Sequence, residues 1–414
     1  MRVQPLLTWW DSQIEKQTRL ASDAFATGKV AVEIVKILFE CKDWEGLNSN
    51  IVLISKRRQQ LKQALVDMVQ EAMTYVDKAP DYDKKMELIH TLRAVTDGKI
   101  HVELERARLT RTLSKIRESE GKIAEAADLL SEVQVETYGS MDKEEKVEYI
   151  LEQVRLCLEK GDFVRGTIVS KKLTAKTFKD DLMQDLKIRY YDLLNRISDE
   201  KDEYLDIANN YYSILQTPTV QEKAESWKAA LKNIAVHLVL APHDNHQSDF
   251  LARLLQEKKL DQLKAYKVLL TLFNTLELIQ WSSFQNMYKT ELMAHAAFGG
   301  NKKEARWKDL HTRVIQHNIR VIATYYENIT MARLSKLLEL SEDEAEKHVC
   351  DMVVKGALWC RIDRLGGVVT LQASKDPADV LNQWSNNISQ LLSKVEKACH
   401  LIHKESMLHG VAAK

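Results

Sequence analysis

The residues of this chain that could bind a metal are two His-x-x-His pairs. His243 and His246 flank Asp244, and His400 and His403 lie near the C-terminus. Imidazoles are common zinc ligands, but a zinc site needs three or four ligands and no HExxH motif completes either pair. We therefore predict no metal, a polar loop at His243 and His246, and a helix face covered by His400 and His403.

Covalent and phosphate chemistry also lack their usual motifs. The five cysteines are scattered and form no Cys-x-x-Cys motif, which is typical of reduced thiols in the cytosol or nucleus. The sequence contains neither a glycine-rich phosphate loop nor a Gly-x-Ser-x-Gly elbow. We therefore predict that the chain is not an enzyme, has no catalytic residues and binds no cofactor. The cysteines are Cys41, Cys157, Cys350, Cys360 and Cys399.

The composition favours a mainly α-helical protein. Only 13 glycines and 5 prolines occur in 414 residues, so helix breakers are scarce. Lys plus Arg equals Asp plus Glu at 60 each, which gives no support to nucleic acid or an acidic membrane as partner. No apolar run approaches the roughly 18 residues that a membrane span needs. We therefore predict a helical chain that binds neither.

The stretch from about residue 329 to residue 372 begins with the pattern of two short helices. Leucines at helical spacing predict a helix that ends near Glu339. Ser341 and Glu344 have the spacing of a capping box, which predicts the start of the next helix. A basic residue followed by Gly356 predicts its end.

A hairpin follows these helices in the sequence. Polar and apolar residues alternate over 359–363, Gly366-Gly367 predicts a turn, and Val368–Leu371 predicts the returning strand. Two short helices and a hairpin together predict a winged helix.

The charges of this winged helix favour a protein partner over DNA. Its second helix, over 341–355, carries five acidic residues against two lysines, and the hairpin adds only Arg361 and Arg364. Because phosphate contacts need cations, such a helix is repelled by a duplex. A nucleic-acid binder stays open as the less favoured alternative. The edge of the hairpin is the predicted docking surface, since unpaired strand edges accept a partner's strand. Its predicted partner-binding residues are Val368, Val369, Thr370 and Leu371.

The N-terminal half repeats with a period near 40 residues. A polar residue followed by a large apolar one recurs just after a short break, at intervals of 38, 41 and 40 residues, and Asp202 lies a further 40 on. Such a period of two helices predicts an α-solenoid of helix pairs similar to tetratricopeptide repeats. The recurring pairs are Asp43-Trp44, Asp81-Tyr82, Lys122-Ile123 and Asp162-Phe163.

The chain ends in a long helix with a narrow apolar seam. The break at Asp376-Pro377 lets this helix start afresh. Its apolar residues are spaced alternately three and four apart, which is the a/d pattern of a coiled coil. We predict that the seam binds helices of other chains; the alternative is that the helix folds back on its own solenoid. The seam residues are Leu381, Trp384, Ile388, Leu391, Val395, Ala398 and Ile402.

Several segments resemble one family. Among them are ISKRRQQLKQA from Ile54, LERARLTRTL from Leu104, LAPHDNHQSD from Leu240 and KDPADVLNQWS from Lys375. They are similar to the 26S proteasome non-ATPase regulatory subunit 12 family, and the likeness runs from Ile14 to Glu405. It stops at residues 1–10, where the family has a longer helical region, so a truncated or alternative N-terminus is expected.

The resemblance implies a PCI domain and a scaffold role. Its expected domains are a solenoid over 1–200, a PCI domain over 201–375 that ends in the winged helix, and a bundle helix over 376–414. The implied function is a non-catalytic subunit of the proteasome lid that supports ubiquitin-dependent degradation in the cytoplasm and nucleus. The implied partners are other lid subunits and the proteasome base, in a hetero-oligomeric complex. A PCI subunit of the COP9 signalosome is the alternative within the same architecture.

Overall fold

The computed structural model describes residues 13–21, 23–58, 60–174, 177–178, 183–299, 302–372 and 377–412. The chain forms two compact units, which divide after His237. The described residues are mostly helical, and the predicted mainly α fold is confirmed. The unusual N-terminal stretch 1–10 and the predicted break at Asp376 lie outside the described residues. The predicted domain boundary at residue 200 stays a prediction.

The first unit is a succession of antiparallel helix pairs. A helical stretch over 13–20 precedes α1, short 3₁₀ turns lie at Ile100–Val102 and Val135–Thr137, and α12 (Ala224–Leu240) crosses into the second unit. The helices of the first unit are α1 (Ala24–Glu40), α2 (Trp44–Lys56), α3 (Lys62–Thr74), α4 (Tyr82–Thr96), α5 (Glu103–Ser119), α6 (Ile123–Ser131), α7 (Lys143–Lys160), α8 (Phe163–Ser170), α9 (Gln184–Glu200), α10 (Tyr204–Leu215) and α11 (Pro218–Glu222).

The repeat predicted from the sequence marks the starts of alternate helices. Helices α2, α4, α6, α8 and α10 begin 38 to 41 residues apart, each at the large apolar residue of its repeat. The Asp43 carboxylate accepts a hydrogen bond from Gly46 N at 2.9 Å, and that of Asp162 accepts one from Arg165 N at 3.0 Å. These N-caps satisfy amides that would otherwise lack a partner.

A left-handed residue precedes the cap in four of these repeats. Gly121 and Gly161 have φ of 80° and 83°, and the equivalent Lys42 and Asp202 have φ of 57° and 55°. Glycine adopts this conformation without steric cost, which explains why the two best copies of the repeat contain it. In the same copies, small residues allow close packing: a Cβ on Gly166 would lie 3.4 Å from Leu158 Cδ2.

Ion pairs connect equivalent helices of successive repeats. The Arg108 guanidinium binds both carboxylate oxygens of Glu145, at 2.8 and 2.9 Å, and Arg111 binds Glu148 at 2.8 Å. Two further pairs, Arg155 with Glu118 and Arg189 with Glu152, span the same 37 residues. The solenoid therefore neutralises its own basic cluster on α5, because the repeat places each arginine beside a glutamate of a neighbouring helix.

These pairs predict an acid-sensitive first unit. The hydrogen bonds from Arg108 and Arg111 hold the pKa values of Glu145 and Glu148 below the ordinary 4.5. A carboxylate whose pKa is lower in the folded state stabilises it above the unfolded pKa, and this stabilisation is lost as pH falls below about 4.5. We expect the melting temperature to drop steeply between pH 5 and pH 3 on the order of one such pair at a time. Thermal unfolding of a Glu145→Gln, Glu148→Gln variant should show a shallower drop; an unchanged slope would contradict the assignment.

The second unit continues with helices and ends in a small sheet and a long helix. Its 3₁₀ turns lie at Lys258–Gln262 and Ala296–Phe298. Its elements after α12 are α13 (Asn245–Leu255), α14 (Lys264–Asn274), α15 (Trp281–Met293), α16 (Lys303–Tyr325), β1 (Asn328–Thr330), α17 (Met331–Leu338), α18 (Glu342–Val354), β2 (Arg361–Asp363), β3 (Val368–Thr370) and α19 (Pro377–Ala412).

Helix α16 fixes the loop that leads into α15. The Asn318 side chain accepts a hydrogen bond from Ile279 N and donates one to Ile279 O, both at 2.8 Å. His317 Nε2 lies 3.1 Å from Glu277 O. Because both polar side chains are buried and paired with backbone, they hold the loop in one conformation against α16.

The winged helix is confirmed and has its own core. The buried side chains come from α16, α17, α18 and the sheet, so the wing packs against the helices. Strand β1 was not predicted, because its three residues follow directly from a 23-residue helix and lead directly into α17. The core residues are Ile315, Ile319, Ile322, Ile329, Leu334, Leu338, Ala345, Val349, Met352, Val369 and Leu371.

Candidate protein-interaction surfaces

The predicted polar roles of the histidines fit their positions. His243 and His246 are exposed on either side of the N-cap of α13, where the Asp244 carboxylate accepts a hydrogen bond from Asn245 N at 2.7 Å. His400 and His403 are exposed on α19. Among the described residues, no group of three or more His, Cys, Asp or Glu side chains is placed to hold a metal ion. Over the same residues, no helix is long and apolar enough to cross a membrane.

The turn between α17 and α18 is built from local sequence signals. Helix α17 ends at Glu339, which adopts a left-handed conformation with φ of 57°. The predicted capping box is present: Glu344 N donates to Ser341 Oγ at 3.4 Å, and Ser341 N donates to Glu344 Oε2 at 3.3 Å. The hydrogen bond from the Ser341 hydroxyl lowers the pKa of the Glu344 carboxyl.

Loss of this capping box should weaken the winged helix moderately. Replacing Ser341 with Ala removes the side-chain acceptor, and such a change costs about 1 kcal/mol. For a unit of this size we expect a melting temperature lower by roughly 2–4 °C. Calorimetry of the Ser341→Ala chain tests this, with Ser385→Ala, an exposed serine within α19, as the control that should melt like wild type.

The exposed side of α18 is acidic, as predicted. Glu342 and Asp343 lie exposed in its first turn. Arg364, one of the two arginines of the hairpin, donates through Nε to the Glu346 carboxylate at 2.9 Å. The wing therefore directs a cation towards its own helix, which reduces what the module can offer to a phosphate backbone.

The sheet corrects one prediction about the wing. Its strand order is β1-β3-β2, with β3 antiparallel to both neighbours. The predicted free edge at Val368, Val369, Thr370 and Leu371 is therefore wrong: Val368–Thr370 is the central strand, and Val369 and Leu371 are buried. The sequence could not show this, because the third strand that covers β3 pairs from about 40 residues earlier in the chain.

The free edges of the sheet belong to β1 and β2. Leu371 N donates to Glu327 O at 2.8 Å and Met331 N donates to Gly367 O at 2.9 Å, which fixes the alternation of hydrogen bonds along β3. Val369 therefore bonds to β1, and the backbone of its β2 partner, Ile362, faces away from the sheet. Ile362 carries the free amide and carbonyl of the β2 edge.

Apolar side chains are exposed in the chain just before and after β2. Val354 ends α18 with 87% of its surface exposed, and Leu365 in the hairpin turn is fully exposed. Trp359 is also exposed. We call Val354, Trp359, Leu365 and the β2 edge the wing surface. Sequence reasoning missed these residues, although a tryptophan and a leucine beside a three-residue strand are a usable signal of a binding surface.

The terminal helix α19 presents its predicted seam to solvent. All of its residues from 377 to 410 are exposed. Leu391 has 62% of its surface exposed and Trp384 has 63%. Apolar side chains beside the seam, such as Leu392 and Leu401, are exposed as well. An uncovered apolar stripe on a 36-residue helix indicates an interaction surface, since such patches are otherwise unfavourable in water.

Comparison with known families places the whole described chain in three consecutive matches. The family model described as PSMD12/CSN4, N-terminal, covers residues 12–223. The PCI domain model covers residues 237–373, and the model described as 26S proteasome regulatory subunit RPN5 C-terminal domain covers residues 378–410. The last match coincides with α19.

Individual relatives are similar over nearly the full length. The 26S proteasome non-ATPase regulatory subunit 12 homolog A of Arabidopsis thaliana is 46% identical over 96% of either chain. Subunit 12 of Dictyostelium discoideum is 46% identical over 96% of this chain and 88% of its own. The 26S proteasome regulatory subunit RPN5 of Saccharomyces cerevisiae is 41% identical over 97% of this chain and 91% of its own.

Proposed function

Because this chain belongs to the 26S proteasome non-ATPase regulatory subunit 12 (RPN5) family, we propose that it is a scaffold subunit of the proteasome regulatory particle lid. The observation that carries the proposal is the unbroken similarity, at 41–46% identity, from the solenoid through the PCI domain to α19. The signalosome alternative is not favoured, because these relatives are named as proteasome subunits.

We propose further that the chain acts without catalysis. The names of the relatives describe regulatory subunits, and the sequence lacks the phosphate-loop, nucleophile-elbow and HExxH motifs. A subunit of this kind would support ubiquitin-dependent degradation by holding neighbours in place. Chain freed of other subunits should release no ubiquitin from a conjugate; release that a chelator abolishes would overturn this part of the proposal.

The proposed partner surfaces are the α19 seam and the wing surface. Leu381, Trp384 and the rest of the seam are exposed and lie on one face of a helix, which fits insertion between helices of other lid subunits. For the wing, Val368–Leu371 would act from the centre of the sheet by supporting β2, whose outer edge would pair with a strand of a neighbour.

Proline at Ile362 tests the wing proposal. The amide of Ile362 faces away from β3, so proline removes an outward donor without breaking a bond within the sheet. Ile362→Ala is the matched control, because it also removes the half-buried side chain and keeps the amide. We expect Ile362→Pro to reduce incorporation into the complex several-fold relative to Ile362→Ala at similar melting temperature. Equal incorporation of the two variants would contradict strand pairing at β2.

The partners are proposed to be the other lid subunits and the proteasome base, with no nucleic acid and no membrane. The acidic surface of α18 and the Arg364–Glu346 pair support the exclusion of nucleic acid. A salt-dependent shift of a labelled duplex by the purified chain would support the nucleic-acid alternative. The proposed location is the cytoplasm and nucleus, and imaging of a tagged chain tests it.

Co-purification tests the proposed function as a whole. A tagged chain is isolated from native extract of its own cells, and the associated proteins are identified by mass spectrometry. We expect other regulatory-particle subunits in near-equal amounts. A monomeric chain, or a set of subunits from another complex, would overturn the proposal.

A further inference from the structure

Two cysteines of the winged helix lie where α18 faces the wing. Cys350 is exposed and comes one helical turn after Glu346, so the two share a side of α18. The Glu346 carboxylate accepts a hydrogen bond from Arg364 of the hairpin turn, which shows that this side faces the hairpin. Glu346, and to a smaller extent Cys350, raise the pKa of Arg364.

The second cysteine approaches from the strand side. Cys360 directly precedes β2 and alternates with Ile362, so both side chains point to the same face of the sheet. Both pack against the core that contains Val349 and Met352 of α18. Burial, followed by the influence of Cys350, raises the pKa of the Cys360 thiol to about 11. The two sulfur atoms therefore share the contact between α18 and the wing.

We propose that Cys350 and Cys360 form a dithiol modification site that a peroxide converts to an intramolecular disulfide. Cys350, the exposed thiol, attacks hydrogen peroxide as the thiolate: an S–O bond forms, the O–O bond breaks, and hydroxide leaves and is protonated to water. The Cys360 sulfur then displaces the oxygen from Cys350 as a second water. Overall, two thiols are oxidised and one peroxide is reduced to two waters.

The other cysteines lack this arrangement. Cys41 and Cys157 belong to the first unit, and Cys399 lies on α19. Exposed Cys350 is accessible to an oxidant, while half-buried Cys360 is shielded from it and reacts with its neighbour instead. The disulfide would tie the end of α18 to the start of β2. The inference depends on the winged helix alone and not on the partners of the chain.

Peptide mapping of the full chain tests the disulfide. After graded treatment with hydrogen peroxide, remaining thiols are alkylated and the chain is digested with trypsin without reduction. Cleavage after Lys347, Lys355 and Arg361 separates the two cysteines into peptides 348–355 and 356–361. We expect these peptides to appear joined, lighter by two hydrogen atoms than their sum, and to separate on reduction. Cys41→Ser is the control that should leave the joined product unchanged.

Single variants and a dithiol reagent complete the test. In Cys360→Ser, Cys350 should be trapped as a sulfenic acid by dimedone, and in Cys350→Ser, Cys360 should stay a thiol. Phenylarsine oxide, which bridges two close thiols, should be retained by the wild-type chain and lost from both variants after washing with a monothiol. Peptides 348–355 and 356–361 alkylated separately, at peroxide levels that oxidise Cys399, would overturn the proposal, as would a Cys350 disulfide to any other cysteine.

Discussion

Replacing Leu391 with Asp should leave the isolated chain folded and prevent it from joining its complex. Leu391 lies in the middle of the α19 seam and is 62% exposed, so its loss removes little packing within the chain. Substitutions at such surface positions usually change the free energy of unfolding by less than about 0.5 kcal/mol. The melting temperature of the variant should therefore match that of the wild-type chain.

The effect on assembly should be large. Full burial of one aliphatic or aromatic side chain contributes roughly 1.5–3 kcal/mol, so the seam could supply on the order of 10 kcal/mol before ordering entropy is subtracted. A charge placed in the buried seam costs about 3 kcal/mol or more, which is at least about a hundredfold in affinity. Deletion from Lys375 onward should have an even stronger effect on incorporation.

The control for this prediction lies on the same helix. Ser393 is two residues after Leu391, which places it on the opposite side of α19. Ser393→Asp adds the same charge away from the seam and should enter the complex at wild-type levels. If Leu391→Asp instead lowered the melting temperature of the isolated chain while it still assembled, α19 would be an intramolecular strut.

Proline at Val369 should unfold the winged helix. Val369 is fully buried in the central strand, and its amide bonds to β1. Proline removes that donor and cannot be accommodated in the middle of a sheet, at a cost of about 3 kcal/mol or more. For a unit of this size the melting temperature should fall by roughly 6–12 °C.

The matched comparison is Ile362→Pro. Its position is paired with Val369 across the sheet, but its amide faces outward, so this variant should stay folded. Calorimetry and hydrogen exchange of the wing distinguish the two variants. Equal stability of Val369→Pro and wild type would contradict the central position of β3. Any failure of Val369→Pro to assemble reports unfolding of the wing rather than a lost docking edge.

Local features were predictable because their causes lie within a few residues. The Ser341–Glu344 capping box and the two-glycine hairpin turn depend only on neighbouring positions. The period near 40 followed from the left-handed residue and the polar cap that begin alternate helices. These signals were sufficient for the solenoid, the winged helix and the boundaries of most of the helices named for them.

Long-range pairing was not predictable from one sequence. Whether Val368–Thr370 forms an edge depends on Asn328–Thr330, which reads as the end of a helix when taken alone. The glutamate partners of Arg108 and Arg111 lie 37 residues away and become evident only once the repeats are superposed in space. The seam of α19 could be identified from spacing, but its exposure depends on which packing partners the chain lacks.

Cross-linking of the assembled complex tests the central claim most directly. Lys394 and Lys397 are exposed on α19 within the region of the seam, and a lysine-reactive cross-linker followed by mass spectrometry identifies what surrounds them. The account predicts that both lysines link mainly to helices of other regulatory-particle subunits, and that these links disappear in Leu391→Asp. Links confined to this chain, in the complex as in the isolated protein, would contradict it.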